Sequence, residues 1–79
     1  MNIKVLGTGC TKCKHLEKRT KQAIDELGIE ATIEKVEDIQ QIMEYAIMIT
    51  PGLVINEEVI LSGQLPRVSE LKEILSQKA

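Results

Sequence analysis

Ile3-Lys4-Val5-Leu6-Gly7-Thr8-Gly9-Cys10-Thr11-Lys12-Cys13 decides how this chain is read. Ile3 to Leu6 reads as a short interior strand. Gly7-Thr8-Gly9 reads as a loop with two flexible joints, and Cys10 or Thr11 opens a helix that runs to Leu27. The two cysteines therefore sit where a strand gives way to a helix. One helical turn holds 3.6 residues, so positions i and i+3 stack on one side and two sulfurs there come within bonding reach. A helix N-terminus favours negative charge and so favours the thiolate, the reactive form of cysteine. The apolar stripe Cys13, Leu16, Thr20, Ala23, Ile24 and Leu27 includes one thiol and misses the other. Cys10 reads as the exposed attacker and Cys13 as the sheltered resolver. Cys10 displaces one sulfur of a substrate disulfide to form a mixed disulfide. Cys13 then attacks Cys10, releases the reduced substrate and leaves an intramolecular disulfide.

Outward from this stretch, Gly28 suits a helix C-cap. Ile29, Ala31 and Ile33 alternate with Glu30, Thr32 and Glu34, a strand period. Asp38 is a good N-cap for a second helix with Ile39, Ile42, Met43 and Ala46 along one face. Thr50-Pro51-Gly52 interrupts. Leu53-Val54-Ile55 and Val59-Ile60-Leu61 flank a turn at Asn56-Glu57-Glu58 and predict a β-hairpin. Pro66 suits the first turn of a last helix that buries Val68, Leu71, Ile74 and Leu75. The order β-α-β-α-β-β-α predicts a single α/β domain over residues 1–79. Its first two strands are joined by a right-handed parallel crossover, and its four-stranded mixed sheet carries helices on both faces.

Composition narrows the partners. The 79 residues include one aromatic, Tyr45, so the core is built from aliphatic side chains and a base-stacking platform for nucleic acid is not expected. Tyr45 itself reads as core filler. Net charge is −2, but residues 1–22 carry Lys4, Lys12, Lys14, Lys18, Arg19 and Lys21 against Glu17 alone. That basic end is either a solvated helix face or a field that lowers the thiolate pKa and steers acidic partners. No long apolar stretch points to a signal peptide or a membrane span, and a cytoplasmic location is expected. Structural disulfides are rare there, and a close cysteine pair is more often catalytic, redox-sensing or metal-binding.

Structural zinc wants four ligands, whereas the chain offers only Cys10, Cys13 and His15 locally. Attachment of c-type haem needs a His directly after the second Cys, where Lys14 stands. His15 falls on the polar side of the helix. No metal or other cofactor is expected beyond the Cys10/Cys13 pair. Lys12 and Lys14 either stabilise the Cys10 thiolate or are plain surface residues. Read locally, the Thr50–Pro51 bond is expected to be trans.

The Cys10-Thr11-Lys12-Cys13 motif after the first strand, Asp38-Ile39 opening the second helix, and Thr50-Pro51 ahead of a hairpin ending in Gly63 resemble the small thioredoxin-like, glutaredoxin-sized redox proteins of prokaryotes. The resemblance covers essentially the whole chain. It implies the sheet order β2-β1-β3-β4 with the first and last helices on one face. It further implies a cis Pro51 beside the disulfide and a Thr50 backbone that binds an extended substrate. Thr11 and Lys12 complete the candidate substrate contacts. There are departures. Lys4 stands six residues before Cys10, where thioredoxins carry a buried acidic residue, and Trp-Cys-Gly-Pro-Cys is absent. Ser62-Gly63-Gln64-Leu65 replaces the Gly pair and acidic residues with which glutaredoxins contact glutathione. Gly52 stands where relatives often have Ala, and Ala46 where Gly is common.

The leading expectation is a monomeric thiol–disulfide oxidoreductase acting on protein disulfides, with an unidentified reductase as electron donor. Two alternatives use the same thiols: a soft-metal carrier for Cu(I) or a similar ion, and a non-enzymatic redox sensor. Small metallochaperones run β-α-β-β-α-β, whereas this chain places a helix between its second and third strands. Ile49 is either an apolar partner contact or core.

Overall fold

The computed structural model describes residues 1–9, 11–47 and 49–78. Its elements are β1 (Asn2–Leu6), α1 (Thr11–Leu27), β2 (Thr32–Val36), α2 (Ile39–Glu44), β3 (Gly52–Ile55), β4 (Glu58–Ser62) and α3 (Val68–Lys78). The strands form one sheet in the order β2-β1-β3-β4. β1 pairs parallel with β2 and antiparallel with β3, and β3 pairs antiparallel with β4. This is the mixed α/β arrangement of a thioredoxin-like fold.

Side-chain alternation along the two central strands builds two cores. Ile3, Val5, Leu53 and Ile55 pack with Leu16, Ala23 and Ile24 of α1 and Leu71 and Leu75 of α3. On the other face Leu6 and Val54 pack with Val36, Ile42 and Ile47. Thr20 interrupts the apolar stripe of α1 and is fully buried, but its hydroxyl donates to the Leu16 carbonyl at 2.7 Å, so no polar group is stranded. Gly28 adopts a left-handed conformation (φ 67°) and its N–H closes on the Ile24 carbonyl at 3.0 Å, the expected C-cap. At the start of α3, the Glu70 carboxylate accepts from the Arg67 N–H at 3.1 Å and satisfies one free amide of the first turn.

Four expectations about the fold need correction. The ladder of β2 begins at Thr32, not Ile29, because its partner β1 begins at Asn2 and pairs with Thr32. Ile29 and Ala31 still lie half-buried ahead of it, so their period was real. The hairpin turn has two residues rather than three. Ile55 pairs with Glu58, and Asn56 and Glu57 both have positive φ (50° and 68°), the conformation whose twist matches paired strands.

The largest difference concerns α2. Asp38 caps it as expected, accepting from the Gln40 N–H at 3.0 Å. Yet Ile39 and Met43 are 62% and 67% exposed, and within the helix only Ile42 is buried. Six residues touch the sheet along one line, and Ile47 from the following loop fills the remaining space. Ala46 has already left the helix at φ 59°, a left-handed conformation that explains why glycine suits the position. A Cβ at Gly52 would stand 2.7 Å from Ile47 Cδ1 and 3.3 Å from the Leu61 carbonyl oxygen, which explains glycine there.

Tyr45 is not simple core filler. It is half-buried against the smaller core, while its hydroxyl accepts from Lys4 Nζ at 2.8 Å and donates to Glu57 at 3.2 Å. Lys4 also reaches the other Glu57 oxygen at 2.8 Å. The Glu57 carboxylate and then the Tyr45 hydroxyl hold the Lys4 ammonium well above its ordinary pKa. The Lys4 ammonium and then the Tyr45 hydroxyl hold the Glu57 carboxyl below its ordinary value.

Candidate active site

Cys13 lies on the first turn of α1, only 5% exposed, and is disulfide-bonded. Its burial follows from its place on the stripe that also buries Leu16, Thr20, Ala23 and Ile24. Cys10 lies outside the described residues. Thr11 and Lys12 are exposed on the same first turn, and so are Lys14 and His15 just beyond it.

The chain passes Cys13 again in two places. Gly7 follows β1 directly, and its N–H donates to the Val36 carbonyl at 2.9 Å. A Cβ at Gly7 would overlap Cys13 Sγ and come within 2.9 Å of Cys13 Cβ and 4.0 Å of Pro51 Cα. The absence of a side chain at Gly7 thus lets the end of β1, the start of α1 and the segment before β3 meet. Pro51 is buried and joined to Thr50 through a cis peptide bond, against the local reading of trans. Two hydrogen bonds from the end of β4 hold its segment. The Gly63 N–H donates to the Pro51 carbonyl at 2.7 Å, and Ser62 Oγ donates to the Ile49 carbonyl at 3.1 Å. Thr50 is half-buried, and Ile49 is 62% exposed beside it, so Ile49 is not core.

Cys13, Pro51 and the flanking Thr50 are therefore brought together, with Thr11 and Lys12 on the adjoining turn. Gly7 is the site residue that sequence reasoning missed. It was read as a joint, whereas its φ is not left-handed and close approach is its role. The available signal was a glycine immediately between a buried strand and the cysteine motif.

Positive charge at this end of α1 is partly committed elsewhere. Lys4 belongs to the Tyr45–Glu57 group, Arg19 donates to the Pro66 carbonyl at 3.1 Å, and Lys21 pairs with Glu17 at 3.4 Å. Lys12, Lys14 and Lys18 remain exposed. Among the described residues no group of three or more His, Cys, Asp or Glu side chains could hold a metal ion, and no helix is long and apolar enough to cross a membrane.

The architecture and this meeting of segments are those of the small thioredoxin-like α/β proteins. Comparison with known proteins makes the class definite: a family model described as a thioredoxin domain matches residues 1–76. A thioredoxin of Methanothermobacter thermautotrophicus is 41% identical over 76 residues, covering 96% of this chain and 99% of its own. A thioredoxin of Methanocaldococcus jannaschii is 41% identical over 73 residues, covering 92% of this chain and 84% of its own. The chain belongs to the thioredoxin domain family, and at family level it is a thiol–disulfide oxidoreductase.

Proposed function

We propose that this protein reduces, or exchanges with, protein disulfides in the cytoplasm through Cys10 and Cys13, acting as a monomer that is recharged by a separate reductase. Cys10 is the attacking thiol and Cys13 the resolving one. The Thr50 backbone beside Pro51 receives an extended substrate strand, and the exposed Thr11 and Lys12 contact it at the other side. The observation that carries this reading is the convergence on Cys13. A buried sulfur on the first turn of a helix is packed against Gly7, with the cis Pro51 next to it. A substrate strand laid along Thr50 would present its disulfide to the same place.

The chemistry needs no group beyond two thiols and a helix N-terminus. Insulin reduction by the dithiol protein tests it, with Cys10→Ser and Cys13→Ser alongside. The parent is expected to turn over and Cys10→Ser to be inactive. Cys13→Ser is expected to stop at a trapped mixed disulfide that identifies the natural substrate in an extract. Equal activity in Cys10→Ser and the parent would sink the assignment.

A further inference from the structure

The lysines of this chain divide into two sets. Lys4, Lys21, Lys35, Lys72 and Lys78 each stand 2.8 to 3.4 Å from a carboxylate. Lys12, Lys14 and Lys18 are exposed and pair with no carboxylate among the described residues. All three lie in the first half of α1. Lys14 lines a small cavity with Cys13 and Gly7, so this basic stretch adjoins the candidate site. Arg19 follows, its guanidinium held on the Pro66 carbonyl rather than on a carboxylate. Acidic groups facing the stretch are few. Glu17 is taken up between Lys21 and Lys35, and Glu37, at the same cavity as Lys14, is exposed.

A solvated face shaped by helix stability would carry the opposite pattern. Acidic side chains suit the start of a helix and basic ones its end. α3 follows that rule, with Glu70 in its first turn and Lys78 in its last. α1 reverses it. There is no acid in its first turn, where Lys12 and Lys14 stand, and no base in its last, where Asp25 and Glu26 stand. The lysines are therefore not there for the helix. A thiolate at the helix mouth offers them one negative charge, but Lys18 lies a full turn beyond Lys14.

We infer that Lys12, Lys14 and Lys18 form a docking surface for acidic side chains flanking the target disulfide, so that the preferred substrates are protein disulfides set in acidic segments. This rests on the proposed reduction of protein disulfides and narrows its substrate class. From Lys12 to Lys18 the helix advances about 9 Å, the length of about three residues of extended chain. A strand with carboxylates at alternate positions beside its cystine matches that span. The attraction is local, because the net charge of the whole chain is −2 and the acidic residues lie almost entirely beyond residue 22.

The test uses two peptide disulfides that are identical except for Glu or Lys at the positions flanking the cystine. The second-order rate of their reduction by the dithiol protein is measured for each, and the ratio of the two rates is the readout. Any change in thiol reactivity multiplies both rates and cancels. At about 0.01 M salt, where charges reach about 30 Å, the acidic peptide is expected to react on the order of tenfold faster or more. The ratio should approach one at about 1 M salt, where that reach is about 3 Å. Combined Lys12→Gln, Lys14→Gln and Lys18→Gln should bring it within twofold of one at low salt. The corresponding three changes to Arg should keep it, as should Lys21→Gln, whose ammonium is already paired with Glu17. A parent ratio within twofold of one at low salt overturns the assignment. So does a triple Gln variant that slows both peptides equally and keeps the ratio, since lysines that serve only the thiol, or only the fold, would give that result. A parent that reduces neither peptide nor insulin overturns the proposed function, and this assignment with it.

Discussion

The two faces of the sheet are built to different standards. On one, α1 and α3 close over Ile3, Val5, Leu53 and Ile55 to make a continuous apolar core in which Leu16, Leu71 and Leu75 are completely buried. On the other, a six-residue helix contributes Ile42 alone from within its span, leaves Ile39 and Met43 in solvent, and shares its ground with the polar Lys4–Tyr45–Glu57 group. Stability resides mainly on the first face. The candidate site draws on both: Cys13 is anchored in the helix of the thick face, and Thr50–Pro51 arrives from the loop that follows the thin one. Under the proposed function, a buried sulfur anchored on the thick face would meet a substrate strand docked on the segment that arrives from the thin one.

The largest expected effect breaks this comparison if it is wrong. Leu71→Ala removes a fully buried side chain from the thick core and is expected to cost about 3–5 kcal/mol, enough to unfold much of so small a domain. Ile42→Ala on the thin face is expected to cost about 2 kcal/mol, because α2 can settle toward the sheet and close part of the space. Urea denaturation of both variants decides the matter. Equal losses would mean that the two faces carry equal weight and that the contrast in exposure is superficial.

Between the faces lies Gly7, where the effect is smaller in stability but larger in function. Gly7→Ala places a methyl group onto Cys13 Sγ and close to Pro51. Overpacking of this kind is expected to cost about 1–3 kcal/mol. Because the displaced atom is the sulfur proposed to resolve the mixed disulfide, insulin reduction should fall much further than the folded fraction does. Activity that merely tracks the folded fraction would remove Gly7 from the site.

Much of this was legible in the chain. The thick face was legible from pattern: the stripe of α1, the apolar face of α3 and the apolar runs of β1 and β3 include nearly every residue of the larger core. The cysteine motif and Pro51 were legible as types and spacings. Local sequence could not supply the geometry of the Thr50–Pro51 bond, since it carries no record of what packs on it. The thin face was the least readable. Ile39 and Met43 obey helical spacing perfectly well, but spacing says which residues share a side, not whether that side finds a surface to cover. Tyr45 was misjudged for a related reason. An isolated aromatic looks like core until Lys4, distant in sequence, arrives at its hydroxyl. Glu17 is one more charged residue in a charged helix until Lys35 from β2 comes alongside.

The smallest expected effect sharpens the comparison, because only a loosely finished face leaves stability to be gained so simply. Ala46 is exposed, ends the turn after α2, and sits at φ 59°. For a residue with a Cβ, left-handed backbone costs roughly 1–2 kcal/mol, whereas the greater freedom that glycine loses on folding costs about 0.4–1 kcal/mol. No packing is lost when the methyl group of an exposed alanine goes. Ala46→Gly should therefore stabilise the protein by about 0.5–1 kcal/mol, read as a higher urea midpoint with an unchanged denaturant slope. Six residues on, the opposite change meets the opposite condition: a methyl group at Gly52 has no open space to enter, only Ile47 Cδ1 and the Leu61 carbonyl. A destabilised Ala46→Gly would show that the α2–β3 connection is held by something firmer than its few buried contacts, and the thin face would have to be counted as a second core in its own right.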